Sequence, residues 1–155
     1  MILTVNSMHI SRLFLLLVIF APPAFPETLQ DCQNSLYQHN CIGRVVSEDG
    51  EFYGSIKDNL PHGKGVKTYK DGRSYEGDFE NGVRSGYGVT TISSKNFRFK
   101  GNFKFDKPNG QGEEVRGDGI SYVGEYKDGG WHGAGKYTAV NGDVYEGQFL
   151  NGSRR

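Results

Sequence analysis

The sequence predicts an all-β fold: a single-layer, twisted antiparallel meander of β-hairpin repeats behind a short N-terminal cap. Three observations support this prediction. Glycine, which weakens helices and strand interiors, occurs 23 times in 155 residues. Aromatic residues recur at fixed positions relative to these glycines. Within each recurrence, apolar and charged side chains alternate with a period of two, which is typical of a strand with one buried face.

Residues 1–26 differ in composition from the rest of the chain and are predicted to be a secretory signal peptide. His9 and Arg12 precede an apolar run at residues 13–20, and a proline-rich stretch follows it. This run is shorter than the roughly 20 residues that span a bilayer, and it fits the hydrophobic region of an export signal. Met8 is an alternative start. We therefore expect a secreted or periplasmic protein, with membrane anchoring through an uncleaved N-terminal segment as the alternative.

Residues 27–51 are predicted to cap the first repeat. They contain Cys32 and Cys41, the two cysteines of the chain. An exported protein reaches an oxidising compartment, which favours a disulfide between them. The alternative is a metal site formed by Cys32, His39 and Cys41, but three ligands at this spacing do not match a zinc site. No metal is therefore expected.

The repeat is the strongest signal and covers residues 52–152. Its units begin at residues 52, 75, 99, 122 and 145, at spacings of 23, 24, 23 and 23 residues. Each unit begins with Phe or Tyr, has glycine at its third position and has a large apolar residue at its fifth. A Gly-x-Gly pair follows in the four complete units, and the fifth unit is partial.

The second unit illustrates the expected local structure. Tyr75, Gly77 and Phe79 should share the buried face of one strand, because side chains alternate between the two faces. Asn81 and Gly82 should form a tight turn, since Asn-Gly suits the positive φ angles of a short hairpin connection. Residues 86–92 should form the return strand. Two strands per unit give a meander of about nine strands.

Departures from the pattern concentrate in the third unit. Asn59 replaces the turn glycine of the first unit, and Asp106 replaces it in the third, where Glu113, Glu114 and Arg116 also lie in the return strand. The second unit has one extra residue around Ser94. We therefore expect a kink or bulge in the third unit.

Rings from successive units are expected to line one face of the sheet. Each recurring glycine should leave a groove in which a ring from a neighbouring strand can lie. We call these side chains the aromatic ladder and predict that they form the binding surface. Trp131 is the strongest candidate for a partner contact, and the alternative is that its ring covers the next turn. The aromatic ladder comprises Phe52, Tyr75, Phe79, Phe99, Phe103, Tyr122, Tyr126, Trp131, Tyr145 and Phe149.

The pattern Tyr-Glu-Gly-Asp-Phe-Glu-Asn-Gly-x-x-x-Gly-x-Gly, as it stands from Tyr75 to Gly88, resembles the MORN repeat family. The resemblance keeps its phase over residues 52–152. It implies an elongated, twisted antiparallel sheet. It also implies a scaffolding, dimerisation or partner-docking role, with phospholipid headgroups as further ligands.

The chain contains histidines and Gly-x-Gly pairs, but not in the arrangements that a metal site or a nucleotide site requires. His62 and His132 occupy equivalent repeat positions three units apart, about 30 Å at the usual strand spacing, so they cannot share a metal ion. We expect each to be a turn residue. The Gly-x-Gly pairs lack the strand-to-helix context of a nucleotide site. The chain is therefore expected not to be an enzyme and to need no cofactor.

Composition narrows the partner classes. The formal net charge is zero, so no basic surface is expected to collect nucleic acid. A choline or saccharide site built as an aromatic cage is a remote alternative, because the chain has one tryptophan. The predicted function is an exported, non-catalytic binding or scaffolding module for a protein partner or for self-association. Binding to a phospholipid membrane surface is the alternative.

Overall fold

The computed structural model describes residues 30–32 and 38–155, which form one sheet of twelve strands in sequence order. Consecutive strands pair antiparallel, except that β1 and β2 are parallel. The predicted all-β meander is therefore confirmed, and the nine strands expected from the repeats are β3–β11. The strands are β1 Gln30–Asp31, β2 Cys41–Ser47, β3 Gly50–Lys57, β4 Leu60–Tyr69, β5 Arg73–Glu80, β6 Val83–Ile92, β7 Phe97–Lys104, β8 Lys107–Val115, β9 Ser121–Lys127, β10 Gly130–Thr138, β11 Val144–Leu150 and β12 Ser153–Arg154.

The turn inside each repeat has two residues, both in the left-handed region. In the second unit these are Asn81 and Gly82, with φ angles of 49° and 88°. Two such residues form the turn type whose twist matches that of the flanking strands. Asn59 and Asp106 take the turn glycine's place at φ angles of 63° and 65°. Short polar side chains adopt this region more readily than other non-glycine residues do.

A register shift interrupts the pairing between the two strands of every complete unit. This shift explains one glycine of each Gly-x-Gly pair. The shift lies at Gly54/Ile56 in the first unit and recurs at the equivalent place in the other three. The first glycine of each pair has a positive φ, for example 70° at Gly86. The bulge expected in the third unit is therefore present, at Gly101/Phe103, but it recurs in every complete unit and so is part of the repeat.

The extra residue of the second unit is absorbed between strands. Ser93–Lys95 form a short 3₁₀ helix, and Asn96 after it adopts a left-handed φ of 47°. The pairing of β6 with β7 runs without a shift from Gly86 to Ile92. The insertion thus lengthens a connection and leaves the stacking of the units intact.

Backbone hydrogen bonds join each turn to the return strand of the preceding unit. Gly82 N donates to Pro61 O at 2.8 Å, and Gly129 N donates to Pro108 O at 2.9 Å. Asp106 preserves this contact in the third unit, since its N donates to Arg84 O at 3.0 Å. Each unit is thereby held by its neighbours, as in other repeat proteins.

The cysteines form the predicted disulfide, Cys32–Cys41. It lies against Gly43 on β2, where an added Cβ would be 2.7 Å from Cys32 Sγ. The disulfide therefore covers bare backbone at the first end of the sheet. β3 begins at Gly50, inside the range predicted as the cap. The predicted signal peptide lies outside the described residues, and within them no helix is long and apolar enough to cross a membrane.

Replacing both cysteines with serine should lower the free energy of unfolding by about 2–3 kcal/mol. The bond closes a short loop, since the two residues are 9 positions apart, and a loop of this size gains that amount by constraining the unfolded chain. Urea unfolding of the oxidised wild type and the double variant measures the difference. The reduced wild type is the control and should unfold with the variant. Equal stability of all three forms would contradict a stabilising role.

Candidate functional site

The sheet has two faces of different character. The inner face carries the aromatic ladder. The outer face carries the residues that alternate with it, and one row crosses ten strands through direct strand-to-strand pairs. That row is Arg44, Tyr53, Val66, Glu76, Val89, Lys100, Glu113, Val123, Lys136 and Glu146.

A row of glycines crosses the inner face, and the ladder rings lie on it. The Tyr75 ring covers Gly77 on its own strand and Gly88 on the next, where an added Cβ would meet Tyr75 Cε2 at 2.5 Å. The Tyr75 hydroxyl donates to Asp78 O at 3.0 Å. The predicted grooves over the glycines are present. Each ring that fills one belongs to the residue two positions before the glycine on the same strand, and it extends over the glycine of the adjacent strand. The glycine row is Gly43, Gly54, Gly65, Gly77, Gly88, Gly101, Gly112, Gly124, Gly135 and Gly147.

The ladder rings pack edge to face along the sheet. Tyr75 lies 5.1 Å from Phe79 in its own unit and 5.0 Å from Phe103 in the next, measured between ring centroids. Such pairs stabilise beyond the apolar area that they bury. All of the ladder is buried except Trp131 and Tyr145, which are half-buried. The ladder is thus the core of this single-layer sheet. Its role as a binding surface stays a prediction, and this burial counts against it.

Trp131 covers a ladder ring. Its indole stacks on Tyr122 with centroids 4.6 Å apart and planes 8° from parallel. Arg84 holds the equivalent position two units earlier, and its guanidinium lies over Tyr75 and Phe103 at 5.5 and 5.1 Å. The indole therefore covers the ring of Tyr122, whereas the alternative stated above had it cover the next turn. Its role as a partner contact stays a prediction.

Burial changes the acidity of the ladder tyrosines. It raises the pKa of Tyr75 to about 12. Burial also raises the pKa of Tyr126. The negative charge of Glu114 raises this pKa further, because the Tyr126 hydroxyl donates to Glu114 Oε2 at 3.2 Å. Glu114 is itself buried, and Arg116 Nε donates to its other oxygen at 2.5 Å. Both carboxylate oxygens are therefore occupied by the chain's own donors.

Basic side chains of the inner face are paired with carboxylates. Lys67 contacts Asp49 at 2.8 Å, and this pairing, with a hydrogen bond from Ser47, lowers the pKa of Asp49 to about 2. Each of these cations also lies over a ring of the inner face. Four cations of the inner face are therefore paired, whereas Arg154, which lies over Tyr137 and Tyr145, forms no ion pair within the described residues. The ion pairs are Lys67–Asp49, Arg73–Asp71, Arg84–Asp106 and Arg116–Glu114.

His62 and His132 occupy strands rather than turns. His62 lies in β4 and His132 in β10, so the expectation that they are turn residues is wrong. The turns occupy the residues just before these strands. The amide of Asn81 donates to His62 Nδ1 at 3.5 Å. Across residues 30–32 and 38–155, no three His, Cys, Asp or Glu side chains are grouped to hold a metal ion.

An apolar cavity of about 620 Å³ opens on the outer face over the first two units. We call it the outer groove, and its apolar walls are Ile42, Tyr53, Val66, Tyr87 and Val89. Tyr53 is 59 % exposed, and Val66 and Tyr87 are also exposed. Periodicity in the sequence did not reveal this site, because its walls come from neighbouring strands and meet only when the register is known.

The corresponding cavity over the later units is lined by more polar side chains, although it has the same backbone. It measures about 480 Å³ and is lined by Gln111, Glu125, Lys136 and Gln148 beside Val123. The repeat therefore does not require an apolar outer groove. Of these two cavities, the one over the first two units has the apolar walls.

Phe105 is an exposed apolar residue outside the outer groove that sequence reasoning also missed. It occupies the first turn position of the third unit, is 72 % exposed and has a φ of 48°. A bulky residue in this region is strained by about 1–3 kcal/mol. A comparison of the units would have revealed Phe105, because the equivalent residues of the other turns are all Asp or Asn. Those residues are Asp58, Asn81, Asp128 and Asn151.

Comparison with known families agrees with this architecture. The family model described as MORN repeat matches residues 52–72, 75–97, 99–121, 122–144 and 145–154. These five matches follow the predicted units and cover more than half of the chain.

Relatives are similar over parts of the chain. MORN repeat-containing protein 3 from Xenopus laevis is 36% identical over 78 residues, which are 49% of this chain and 31% of that protein. ALS2 C-terminal-like protein from Bos taurus is 33% identical over 72 residues, 45% of this chain and 7% of that protein. Alsin from Rattus norvegicus is 40% identical over 48 residues, 31% of this chain and 3% of that protein. The chain spans less than a third of each relative's length.

Proposed function

The chain belongs to the MORN repeat family, and we propose that it binds a protein partner through the outer groove. Repeats of this family are non-catalytic modules that commonly bind proteins or membranes. The partner is either another protein or a second copy of the chain. The proposal differs from the predicted use of the aromatic ladder, since the ladder rings are buried and the groove walls are exposed.

The observation that carries the proposal is the apolar character of the outer groove. Exposed apolar patches on soluble proteins commonly mark interaction sites. Here the patch is concave, and the equivalent surface of the later units is lined by polar side chains. An exposed apolar surface that the fold does not require is best explained by a partner that covers it.

Charge supports a protein partner over a phospholipid surface. Attachment to anionic headgroups uses clusters of unpaired basic side chains. Four inner-face cations are paired with carboxylates and Lys64 beside the outer groove contacts Asp78 at 2.7 Å, so neither the aromatic ladder nor the groove presents a cluster of unpaired basic side chains. The formal net charge of zero adds no long-range attraction to an anionic membrane or to nucleic acid.

We also propose that the protein acts outside the cytoplasm, as a secreted or periplasmic module. The Cys32–Cys41 disulfide supports this proposal, because disulfides persist in oxidising compartments. The sequence of residues 1–26, with its basic start and short apolar run, supports it independently.

Substituting two groove walls should abolish partner binding while the protein stays folded. We expect Tyr53→Ser combined with Val66→Thr to remove recovery of the partner from an extracellular fraction of the source organism, since both side chains are exposed. Val123→Thr is the matched control, because Val123 holds in the fourth unit the position of Tyr53 in the first. Quantitative mass spectrometry of the captured proteins measures recovery. Equal recovery by the folded double variant and the wild type would overturn the groove as the binding site.

A further inference from the structure

We propose that a second copy of this chain occupies the outer groove by inserting Phe105. This inference rests on the function proposed above and specifies its partner. Phe105 projects from a turn and is 72 % exposed, so it is convex where the groove is concave. The two surfaces belong to different units and are both available in one molecule.

Backbone strain singles out Phe105. Its φ of 48° lies in the region where four equivalent residues are Asp or Asn. A phenyl ring offers the turn no hydrogen bond, and the ring is not buried in its own chain. Strained residues that the surroundings hold in place cluster at functional sites. The strain and the exposure together indicate a ring kept for an intermolecular contact.

Charge is complementary between the two surfaces. Lys104 and Lys107 flank Phe105, and neither forms an ion pair within the described part of the chain. Asp106 beside them is engaged by Arg84 at 3.1 Å, so the turn is locally basic. Glu76 lines the outer groove and also has no ion-pair partner among the described residues. A ring that enters the groove brings the lysines toward this carboxylate.

Size is also compatible. The cavity of about 620 Å³ accommodates one phenyl ring, and its tyrosine walls offer edges and faces of the kind that pair with a ring. Because the inserting turn and the groove are different surfaces, the contact is heterologous. Heterologous contacts leave one free turn and one free groove after each addition, so copies join head to tail into rings or filaments.

Sedimentation velocity of the purified full chain over a range of concentrations tests the proposal. We expect the wild type to associate, and we expect Phe105→Asn to raise the dissociation constant about 30-fold, the loss typical of an aromatic anchor at an interface. Asn suits the left-handed turn, so the variant should also unfold at a higher urea concentration than the wild type. A wild type that stays monomeric at every concentration would overturn the proposal.

Mixing two variants separates this contact from other modes of association. Val66→Lys places a lysine opposite Glu76 in the strand register, which preserves the sheet and repels the basic turn. At a concentration near the wild-type dissociation constant, Phe105→Asn and Val66→Lys should each stay monomeric alone, but their mixture should form a one-to-one pair from the intact groove of the first and the intact turn of the second. Val123→Lys is the matched control and should associate like the wild type. A mixture that stays monomeric would refute head-to-tail insertion.

Vesicle flotation distinguishes a membrane role for Phe105. The probe is a phosphatidylcholine vesicle containing phosphatidylserine. Flotation that depends on Phe105, with a monomeric protein in solution, would overturn the second-copy proposal in favour of a membrane surface. A wild type that stays monomeric while the groove of the folded protein still captures a different protein, with that capture lost in the Tyr53→Ser, Val66→Thr variant, would sink this inference alone and leave the proposed function standing.

Discussion

Replacing Tyr75 with alanine should lower the free energy of unfolding by about 3–5 kcal/mol, as for other large rings in protein cores. Tyr75 is 0% exposed, and its ring contacts Phe79 and Phe103 edge to face. The floor beneath the ring is Gly77 and Gly88, which have no side chains to move into the space left behind. The cavity should therefore stay open, and the loss should lie toward the upper end of this range.

Urea unfolding followed by tyrosine and tryptophan fluorescence measures the effect of Tyr75→Ala. Tyr75→Phe keeps the ring and removes the hydrogen bond to Asp78 O, so it should cost about 1 kcal/mol. Tyr53→Ala is the matched control on the outer face and should stay within about 0.5 kcal/mol of the wild type. A Tyr75→Ala protein as stable as the wild type would show that the ladder is not the core.

The burial of Tyr75 also determines how the binding surface can be tested. A domain is stable by roughly 5–15 kcal/mol, so Tyr75→Ala removes a large share of that total. Loss of binding by such a variant would follow from unfolding as readily as from a lost contact. Variants of the exposed outer groove avoid this confusion, because surface substitutions usually change stability little.

The repeat made most of the fold predictable from sequence. Five recurrences of one aromatic–glycine pattern predicted the hairpins, the number of strands in the repeats and the face on which Tyr75 and Phe79 lie. The disulfide followed from the presence of two cysteines behind an apparent export signal. These features depend on local spacing and composition, which the sequence displays directly.

Cross-strand register limited the rest of the prediction. The two glycines of a pair such as Gly86 and Gly88 serve different purposes, since the first adopts a positive φ at the bulge and the second lies beneath a ring. A single-layer sheet also has no second layer to cover its aromatic face. The bare backbone of the glycine row lets rings lie close to the sheet and cover one another instead, so the aromatic ladder became a core.

The outer groove and Phe105 were missed for two separate reasons. Tyr53, Val66 and Tyr87 lie in three different strands, and each looks like a single exposed residue when strands are considered one at a time. Phe105 was detectable, because it departs from the Asp or Asn of the other turns. The missing turn glycine made Asp106 the more conspicuous departure, but Asp106 preserves the regular contact with Arg84.

Gly77→Ala should destabilise the protein by about 3 kcal/mol, which is the upper end of the usual cost of overpacking. An added Cβ would lie 2.5 Å from Gly88 Cα and 2.6 Å from Tyr87 O, both backbone atoms of the paired strand. It would also lie 2.7 Å from the Tyr75 hydroxyl. Backbone on one side and a buried ring on the other leave no flexible group to move, so the strands must separate or the ring must leave its seat.

Two further glycines make the Gly77 prediction specific. Gly124 has the same neighbours in the fourth unit, with an added Cβ 2.6 Å from Gly135 Cα and 2.7 Å from Ala134 O, so Gly124→Ala should cost as much. Gly130 is the matched control, because its nearest neighbour would be 3.8 Å away and other units carry a side chain at that position. Urea unfolding of the three variants measures the costs. A Gly77→Ala loss no larger than that of Gly130→Ala would mean that ring and backbone are not in close contact. Equal large losses at Gly77 and Gly124 would locate the stability of the sheet in the glycine row.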